Sequence, residues 1–397
     1  MNTVLRAAWL FDGTAGTLMP DPTVILDGGT ITAVGTALPV PAGATVVDLG
    51  AATLLPGLVD THVHLAFDAS ADPVGSLAAR DDAETLAAMT AAARHAARGG
   101  VTTVRDLGDR GYGSLAVRAA AASDATLPTV VAAGPPITSP GGHCHYLGGA
   151  SHGVDGIRAA VRERADRGVD VIKIMASGGN LTPGSRPEVS QFGPDELRAA
   201  VAEAHRLGLP VTAHAHGTQA VADALAAGVD GLEHVSFMSA DGVDPIPDAV
   251  LAAIVAQRVA VGMTVGFVPV PGFAPPPAVL SRLPLMIAGL GRLHAAGAVM
   301  TAGTDAGIGP VKPHDVLRSA VAQLAQIGMT PVAALRAATS VAAATCGLGH
   351  RKGRLAPGYD ADVLAVDGDP LRDPGALHRI RAVYVRGVAL NGVALSR

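Results

Sequence analysis

The feature that most restricts the fold is an alternation of short apolar segments with alanine-rich stretches across the middle of the chain. The apolar segments have the length and composition of buried parallel strands, and they lie at 58–64, 101–107, 129–133, 169–175, 211–214, 231–235, 260–264 and 299–304. Helical stretches separate most of them, such as 81–98, 153–167, 195–207 and 218–227. Eight strands with intervening helices predict an α/β protein with a (β/α)8 TIM barrel.

An open, doubly wound sheet is the alternative to a barrel. In that fold a glycine-rich G-x-G-x-x-G turn follows the first strand, and no such motif follows a strand in this sequence. Polar residues instead collect at the carboxyl ends of several strands, where barrels place their sites. This distribution favours the barrel.

The two ends of the chain differ from the middle. Short alternating segments suggest strands at 4–10, 23–26, 30–34, 44–47, 361–366 and 380–385. The turn at 27–29 has the sequence Asp-Gly-Gly and predicts a hairpin. We expect residues 1–55 and 348–397 to form one small β-sandwich domain and residues 56–347 to form the barrel.

Lys173 lies where a lysine is unexpected. It sits in the apolar segment 169–175, and the chain has only two other lysines, Lys312 and Lys352. A buried ammonium is costly unless it is paired or loses its charge. A neutral lysine amine can capture carbon dioxide as a carbamate, which is an anion able to bridge two metal ions. We predict this modification at Lys173.

Histidines and a carboxylate occur at the ends of other predicted strands. His62 and His64 are two residues apart, so on a strand both imidazoles face the same way. His214, His234 and Asp305 each end a different strand. Each of them alone has an ordinary explanation as a helix cap or a hydrogen-bonded polar residue. Together with the lysine they predict a metal site, because neutral imidazoles and carboxylates suit zinc and similar ions.

Composition excludes several other classes of function. The formal net charge is -5 and there is no basic cluster, which argues against nucleic acid as a partner. No apolar run approaches the ~20 residues of a membrane span, and the first residues lack a signal-peptide pattern. Two cysteines, Cys144 and Cys346, fit a reducing cytoplasm. We expect a cytoplasmic homo-oligomer that acts on small molecules without a membrane partner.

Three segments resemble the amidohydrolase superfamily. Residues 55–64 are similar to its first-strand signature, 303–307 to its last-strand signature, and 353–363 to the segment that returns the chain to the β domain. The resemblance covers nearly the whole chain. It implies a barrel that binds two divalent metal ions, zinc being the first candidate, with Lys173 carboxylated by CO2. The implied metal ligands are His62, His64, Lys173, His214, His234 and Asp305.

The middle of the chain resembles the imidazolonepropionase-related and prolidase-like branch of that superfamily. The similar segments are 139–143, 172–179, 191–192 and 213–217. The resemblance implies that His143 and His216 contact substrate; the alternative is that each is a loop histidine held by backbone hydrogen bonds. Tyr146 and Arg186 lie in loops near the same rim, where either could hold a substrate carboxylate.

The reaction expected from this set of residues is hydrolysis of an amide or peptide C–N bond in a dipeptide or an N-acyl amino acid. A hydroxide shared by the two ions would attack the carbonyl, and the carbamate of Lys173 would hold the ions together. Asp305 would take the proton of the water and pass it to the leaving nitrogen. Two alternatives remain, namely a cyclic amidase or deaminase acting on a small heterocycle or lactam, and a catalytically inactive scaffold.

Overall fold

A computed structural model of this protein describes residues 2–273 and 277–390. Strands of the first part of the chain are β1 (Asn2–Arg6), β2 (Trp9–Leu10), β3 (Met19–Pro20), β4 (Pro22–Asp27), β5 (Thr30–Thr36), β6 (Thr45–Asp48) and β7 (Ala52–Pro56). Strands of the middle are β8 (Leu58–Val63), β9 (Val101–Asp106), β10 (Thr129–Ala132), β11 (Ile172–Met175), β12 (Val211–Gly217), β13 (Gly231–Met238), β14 (Ala260–Gly262) and β15 (Val299–Thr301). The last strands are β16 (Val363–Asp367), β17 (Ile380–Val385) and β18 (Val388–Ala389).

Helices follow most strands of the middle. In chain order they are α1 (Pro73–Ala78), α2 (Asp82–Arg98), α3 (Gly113–Ala121), α4 (Gly153–Arg167), α5 (Pro194–Arg206), α6 (Thr218–Ala227), α7 (Asp248–Gln257), α8 (Pro277–Ala295), α9 (Leu317–Gln323), α10 (Pro331–Ala337) and α11 (Ser340–Thr345). Local signals set several ends: Asp81 and Glu84 form a capping box at the start of α2, and Gly168 ends α4 with a φ of 82°. Within the described ranges, no helix is both long and apolar enough to cross a membrane.

Strands of the middle form two parallel sheets. One has the order β10-β9-β8 and the other the order β11-β12-β13-β14-β15, and each neighbouring pair is parallel. Each of the eight predicted segments overlaps one of these strands. Val104 and Ile172 of these strands share a large hydrophobic core with Ala93 of α2 and Leu197 of α5. Parallel strands joined by helices that pack on them confirm the α/β class.

Backbone contacts join the two parallel sheets at both of their edges. At one edge Ile137 forms a parallel bridge with Ile174, and the Ile137 N–H donates to Lys173 O at 2.8 Å. At the other edge Val63 forms a parallel bridge with Ala306. Because all of these strands run in the same direction, their carboxyl ends lie at one end of the structure.

Strands from both ends of the chain share a sheet. β16 pairs antiparallel with β7, which also pairs with β2, and the full order is β18-β17-β16-β7-β2-β3. A further sheet, with the order β5-β4-β1-β6, contains the hairpin of β4 and β5 that the turn at 27–29 predicted. Buried side chains from both ends, including Leu5, Leu54, Val363 and Tyr384, form a second hydrophobic cluster.

Candidate metal centre

The carboxyl ends of the middle strands bring the predicted metal ligands together. These residues are His62, His64, Lys173, His214, His234 and Asp305. They are far apart in sequence, and they meet because parallel strands present their carboxyl ends on the same side of a sheet. Distances between side chains define two adjacent groups of possible ligands, with Lys173 beside the first group and His216 as an additional member of the second.

The first group consists of His62, His64 and Asp305. One ligand atom of each lies within 4.8 Å of the other two. His64 Nε2 is 3.3 Å from Asp305 Oδ1 and 3.3 Å from His62 Nε2. Tetrahedral ligands at ~2.1 Å from zinc are about 3.4 Å apart, so these atoms have the spacing that an ion requires.

The second group consists of His214, His216 and His234, whose ligand atoms also lie within 4.8 Å of one another. The ring centroids of His214 and His234 are 4.5 Å apart, and those of His216 and His234 are 4.3 Å apart. The two groups are neighbours, because the ring centroids of His62 and His234 are 5.2 Å apart. His216, predicted to contact substrate, therefore lies among the possible ligands of a second ion.

Lys173 lies in β11, and its side chain reaches the edge of the first group. Its side chain is 1% exposed, and its Nζ is 3.4 Å from His62 Nε2. Burial lowers the pKa of Lys173 to about 8, although the carboxylates of Glu233 and Asp305 oppose the shift. At neutral pH this amine is therefore unprotonated more often than an ordinary lysine, and the unprotonated amine is the form that reacts with carbon dioxide.

A buried carboxylate determines which nitrogen of His62 is free. His62 Nδ1 is 2.9 Å from Glu233 Oε2, and Glu233 Oε1 accepts hydrogen bonds from Arg105 at 2.9 Å and Thr212 at 2.7 Å. Burial would raise the pKa of Glu233, but Arg105 and His62 lower it to about 2. Because an ionised carboxylate only accepts, His62 Nδ1 carries the proton and Nε2 is left with a lone pair.

Backbone carbonyls have the same effect on two other histidines. His64 Nδ1 is 2.9 Å from Gly108 O, and His214 Nε2 is 2.9 Å from Gly178 O. A carbonyl oxygen only accepts, so each bonded nitrogen is protonated and the other nitrogen of the ring is free to bind a metal. In His64 the free atom is Nε2, which lies beside Asp305. In His214 it is Nδ1.

Three residues at the carboxyl ends of neighbouring strands have left-handed backbone: His234 lies in β13, Thr264 follows β14 and Asp305 follows β15. The φ angle is 72° at His234, 45° at Thr264 and 61° at Asp305. His234 Nδ1 is also 3.0 Å from Thr264 Oγ1. Such backbone costs about 1–3 kcal/mol per residue outside glycine and is concentrated at functional sites. Its presence at two predicted ligands and at the partner of one of them marks this end of the strands as a functional region.

His143 lies beside the second group. It is 6% exposed, and its ring centroid is 4.8 Å from that of His214. Within residues 2–273 and 277–390, His143 Nδ1 has no hydrogen-bond partner. Gly179 leaves room for this ring, because a Cβ at that position would overlap His143 Nε2. A buried and unpaired nitrogen next to the cluster is available to a ligand.

The other two predicted substrate contacts differ from each other. Tyr146 is half-buried, and its hydroxyl is 3.6 Å from Cys144 Sγ. Arg186 has a side chain that is 69% exposed, and its guanidinium lies 3.7 Å from Glu188. The structure thus places Tyr146 in a short 3-10 helix, His145–Leu147, and turns the side chain of Arg186 toward solvent and a neighbouring carboxylate.

Sequence reasoning missed the residues that orient the ligands. Glu233 and Arg105 are charged residues inside apolar strand segments, which is the same signal that singled out Lys173. Thr264 has no comparable mark, because a threonine at a strand end is ordinary.

Parallel strands whose carboxyl ends gather histidines, a lysine and an aspartate form the framework of an enzyme that could bind metal ions. The sequence model of the amidohydrolase family matches residues 53–390, so the chain belongs to this family. Its members are typically metal-dependent. The chain is a hydrolase acting on carbon–nitrogen bonds, and the predicted superfamily is confirmed.

The chain is similar to two proteins in sequence and to one crystal structure in fold. Ochratoxinase from Aspergillus niger is 30% identical over 365 residues, which cover 83% of this chain and 73% of that protein. Imidazolonepropionase from Deinococcus deserti is 28% identical over 390 residues, which cover 90% of this chain and 88% of that protein. The crystal structure of a Xaa-Pro dipeptidase with methionine bound in the active site is similar with a TM-score of 0.85 at 25% identity, covering 99% of this chain and all of that one.

Proposed function

We propose that this protein is a binuclear metal-dependent hydrolase that cleaves the amide bond of a dipeptide or an N-acyl amino acid. The observation that carries the proposal is the pair of adjacent ligand groups with a buried lysine at their border. The first group would hold one ion, and His214 and His234 of the second group would hold the other. Lys173, carboxylated by CO2, would bridge the two ions, for which zinc is the first candidate.

The donor atoms suit a divalent ion. Burial lowers the pKa of His62 to about 4, so its imidazole is neutral at pH 7. Burial would raise the pKa of Asp305, but His62 and His64 lower it well below its usual range, so its carboxylate is ionised. Neutral imidazoles with carboxylates are the donors that zinc and its neighbours prefer. When bound, the ions would polarise the substrate carbonyl and lower the pKa of water to about 7.

Asp305 is the residue that we assign to proton transfer. Its carboxylate lies 3.3 Å from His64 and 3.6 Å from His62, and at 15% exposure its side chain is the most accessible of the first group. We propose that Asp305 accepts a proton from the attacking water and delivers it to the leaving nitrogen.

Two histidines are assigned to the substrate. His143 presents an unpaired Nδ1 beside the cluster. His216 is fixed by a hydrogen bond of 2.7 Å between its Nδ1 and Ser236 Oγ, which leaves Nε2 available. We propose that these nitrogens bind the carbonyl or the carboxylate of the substrate, with Tyr146 contributing from the adjacent loop.

The fold proposed for this enzyme is a closed (β/α)8 barrel over residues 56–347 with a small β-sandwich domain built from residues 1–55 and 348–397. Support for closure comes from the bridges of Ile137 with Ile174 and of Val63 with Ala306, which join the two parallel sheets at both edges. Support for the second domain comes from the pairing of β7 with β16 and from the separate hydrophobic cluster of the two chain ends.

The relatives favour an acyclic amide over a ring, but they keep one alternative open. A Xaa-Pro dipeptidase has nearly the same fold over the whole chain, and the ochratoxinase likeness is the stronger of the two sequence matches. The likeness to imidazolonepropionase, which covers 90% of this chain, supports the alternative of a cyclic amidase or deaminase.

The test combines metal analysis with a substrate screen. Purified protein loaded with zinc should hold about two equivalents and hydrolyse Xaa-Pro dipeptides or N-acyl amino acids in preference to lactams, and a chelator should abolish turnover. His214→Asn should lose metal and activity. The control is His205→Asn, which alters a surface histidine of α5 that is hydrogen-bonded to Asp230. This variant should retain metal and activity.

Two results would contradict the proposal. One tightly bound ion together with activity only on a lactam or heterocycle would support the alternative reaction. The second result is a folded protein that binds no metal after loading and hydrolyses none of these substrates. This result would disprove the proposed reaction without affecting the family assignment.

A further inference from the structure

Lys312 is the second of three lysines in this chain, and neither the sequence motifs nor the proposed reaction explains it. The other two have evident partners. Lys173 lies in the candidate metal centre, and Lys352 is buried between the carboxylates of Asp360 and Asp362 at 2.8 and 2.6 Å. Among residues 2–273 and 277–390, Lys312 forms no comparable ion pair, and its ammonium donates to two backbone carbonyls instead.

Those carbonyls belong to two segments of the candidate metal centre. Lys312 Nζ donates to Thr264 O at 2.9 Å and to Thr304 O at 2.7 Å. Thr264 follows β14, and its hydroxyl is 3.0 Å from His234 Nδ1. Thr304 immediately precedes Asp305. One ammonium therefore links the segment that orients a ligand of the second group to the segment that carries a ligand of the first.

Both segments need an anchor because the regular strands have already ended. β14 ends at Gly262 and β15 at Thr301, and the backbone beyond them is left-handed at Thr264 and Asp305. Residues held in such backbone depend on surrounding contacts to stay there. Hydrogen bonds from an ammonium are stronger than those between neutral groups, so Lys312 is suited to this role.

Charge adds a second reason for a cation at this place. The carboxylates of Asp305 and Asp60 both interact favourably with Lys312. Asp60 in turn accepts from the Thr304 hydroxyl at 2.6 Å and from the Thr304 N–H at 3.0 Å. A neutral side chain in place of Lys312 would leave these two acids without the nearby cation and both carbonyls without the Lys312 donor.

We propose that Lys312 is a positioning residue that sets the spacing between the two metal-ligand groups by clamping the segments of Thr264 and Asp305. The proposal rests on the metal-binding function proposed above. It predicts that loss of Lys312 weakens retention of both ions, since each group has one ligand held through the clamp. Loss of a residue that orients metal ligands costs ~10–100-fold in metal affinity.

The experiment compares Lys312→Met with the matched control Lys352→Met. Both variants replace a lysine by a residue of similar length, and Lys352 donates to Asp362, the residue before β16. Zinc retention against a competing chelator should fall at least ~10-fold in Lys312→Met for both equivalents. Lys352→Met should lower the thermal stability of the metal-free protein but leave zinc retention unchanged.

The outcomes separate this inference from the proposed function. If the wild type binds two ions and folded Lys312→Met retains them as tightly, the clamp is disproved and the metal centre stands. If the wild type binds none, the proposed function fails first. Should Lys312→Met not fold, Lys312→Ala, which leaves space for water at both carbonyls but has no side-chain donor to join them, is measured instead, and wild-type retention by that variant overturns the inference equally.

Discussion

Lys173 is the residue on which the proposed chemistry depends most. Replacing it with Met keeps length and apolar character, so the fold should survive, and removal of a buried charge is often tolerated. We expect Lys173→Met to lose both metal and turnover, because the bridging anion would be absent. Metal content by atomic spectroscopy and an assay on the preferred substrate provide the measurement.

A rescue experiment sharpens this prediction. In Lys173→Ala, a short carboxylic acid such as formate or acetate, added with metal, can occupy the space of the missing carbamate and should restore part of the activity. A folded Lys173→Met variant with full metal content and a normal rate would show that the lysine is only a buried structural residue.

At the residue scale, the sequence predicted which side chains lie at strand ends, but it did not predict their hydrogen-bond partners. His62, His214 and the other four predicted ligands could be located from local apolar patterns, because a strand end is a property of a few neighbouring residues. Glu233 contacts His62 across 171 positions of sequence, a contact that the packing of several strands decides. Arg186 fails to join the cluster for a related reason, since the conformation of its loop directs the side chain toward Glu188.

At the element scale, strand existence was easier to predict than strand ends. The predicted segments 260–264 and 299–304 end in the structure at Gly262 and Thr301. The backbone leaves the sheet beyond these ends, and it becomes left-handed at Thr264, inside the first predicted segment, and at Asp305, immediately after the second. A pattern of apolar residues cannot show this, because the backbone there is set by the site and not by the propensity of the strand.

The start of the chain shows a second limit. The predicted strand 4–10 is divided into β1 and β2, which belong to different sheets. Both halves bury apolar residues, among them Leu5 and Leu10, so hydrophobic periodicity alone does not reveal the division.

Gly262 leaves space for the side chain of Glu233 on the neighbouring strand β13. It lies in β14, and a Cβ at this position would overlap Oε2 of Glu233, the atom bonded to His62. We expect Gly262→Ala to push the carboxylate away from His62, destabilise the protein by about 1–3 kcal/mol and weaken metal retention. Urea unfolding and chelator competition measure the two effects.

The control for this prediction is Gly242→Ala. Nothing lies within 4 Å of a Cβ at Gly242, and its backbone is outside the left-handed region. This variant should match the wild type in both measurements. Wild-type metal retention in Gly262→Ala would mean that Glu233 does not orient His62.

At the scale of the whole molecule, buried histidines link stability to pH. Burial lowers the pKa of His62, His216 and His314 to about 4 and that of His143 to about 3, from an ordinary value of 6.5. Between about pH 6.5 and 4 the unfolded chain therefore binds more protons than the folded one. Stability of the metal-free protein must rise with pH across this range.

Three buried carboxyl groups among the described residues act in the opposite direction. Burial raises the pKa of Asp60 and of Asp106 to about 7 and also raises the pKa of Asp109. The folded protein keeps these protons over the same range, so their contribution to stability falls as pH rises. The histidines prevail because they are more numerous, since burial also holds the pKa of His214 and His234 well below the ordinary value.

We therefore predict that the free energy of unfolding of the metal-free protein falls, on the order of a few kcal/mol, as pH decreases from about 6.5 to 4. Urea unfolding at a series of pH values measures it. His314→Gln should flatten this dependence, because glutamine can still donate to Phe67 O, the partner of His314 Nε2 at 2.9 Å, but does not titrate. Equal stability at pH 4.5 and 7 would show that the buried imidazoles take up protons without unfolding.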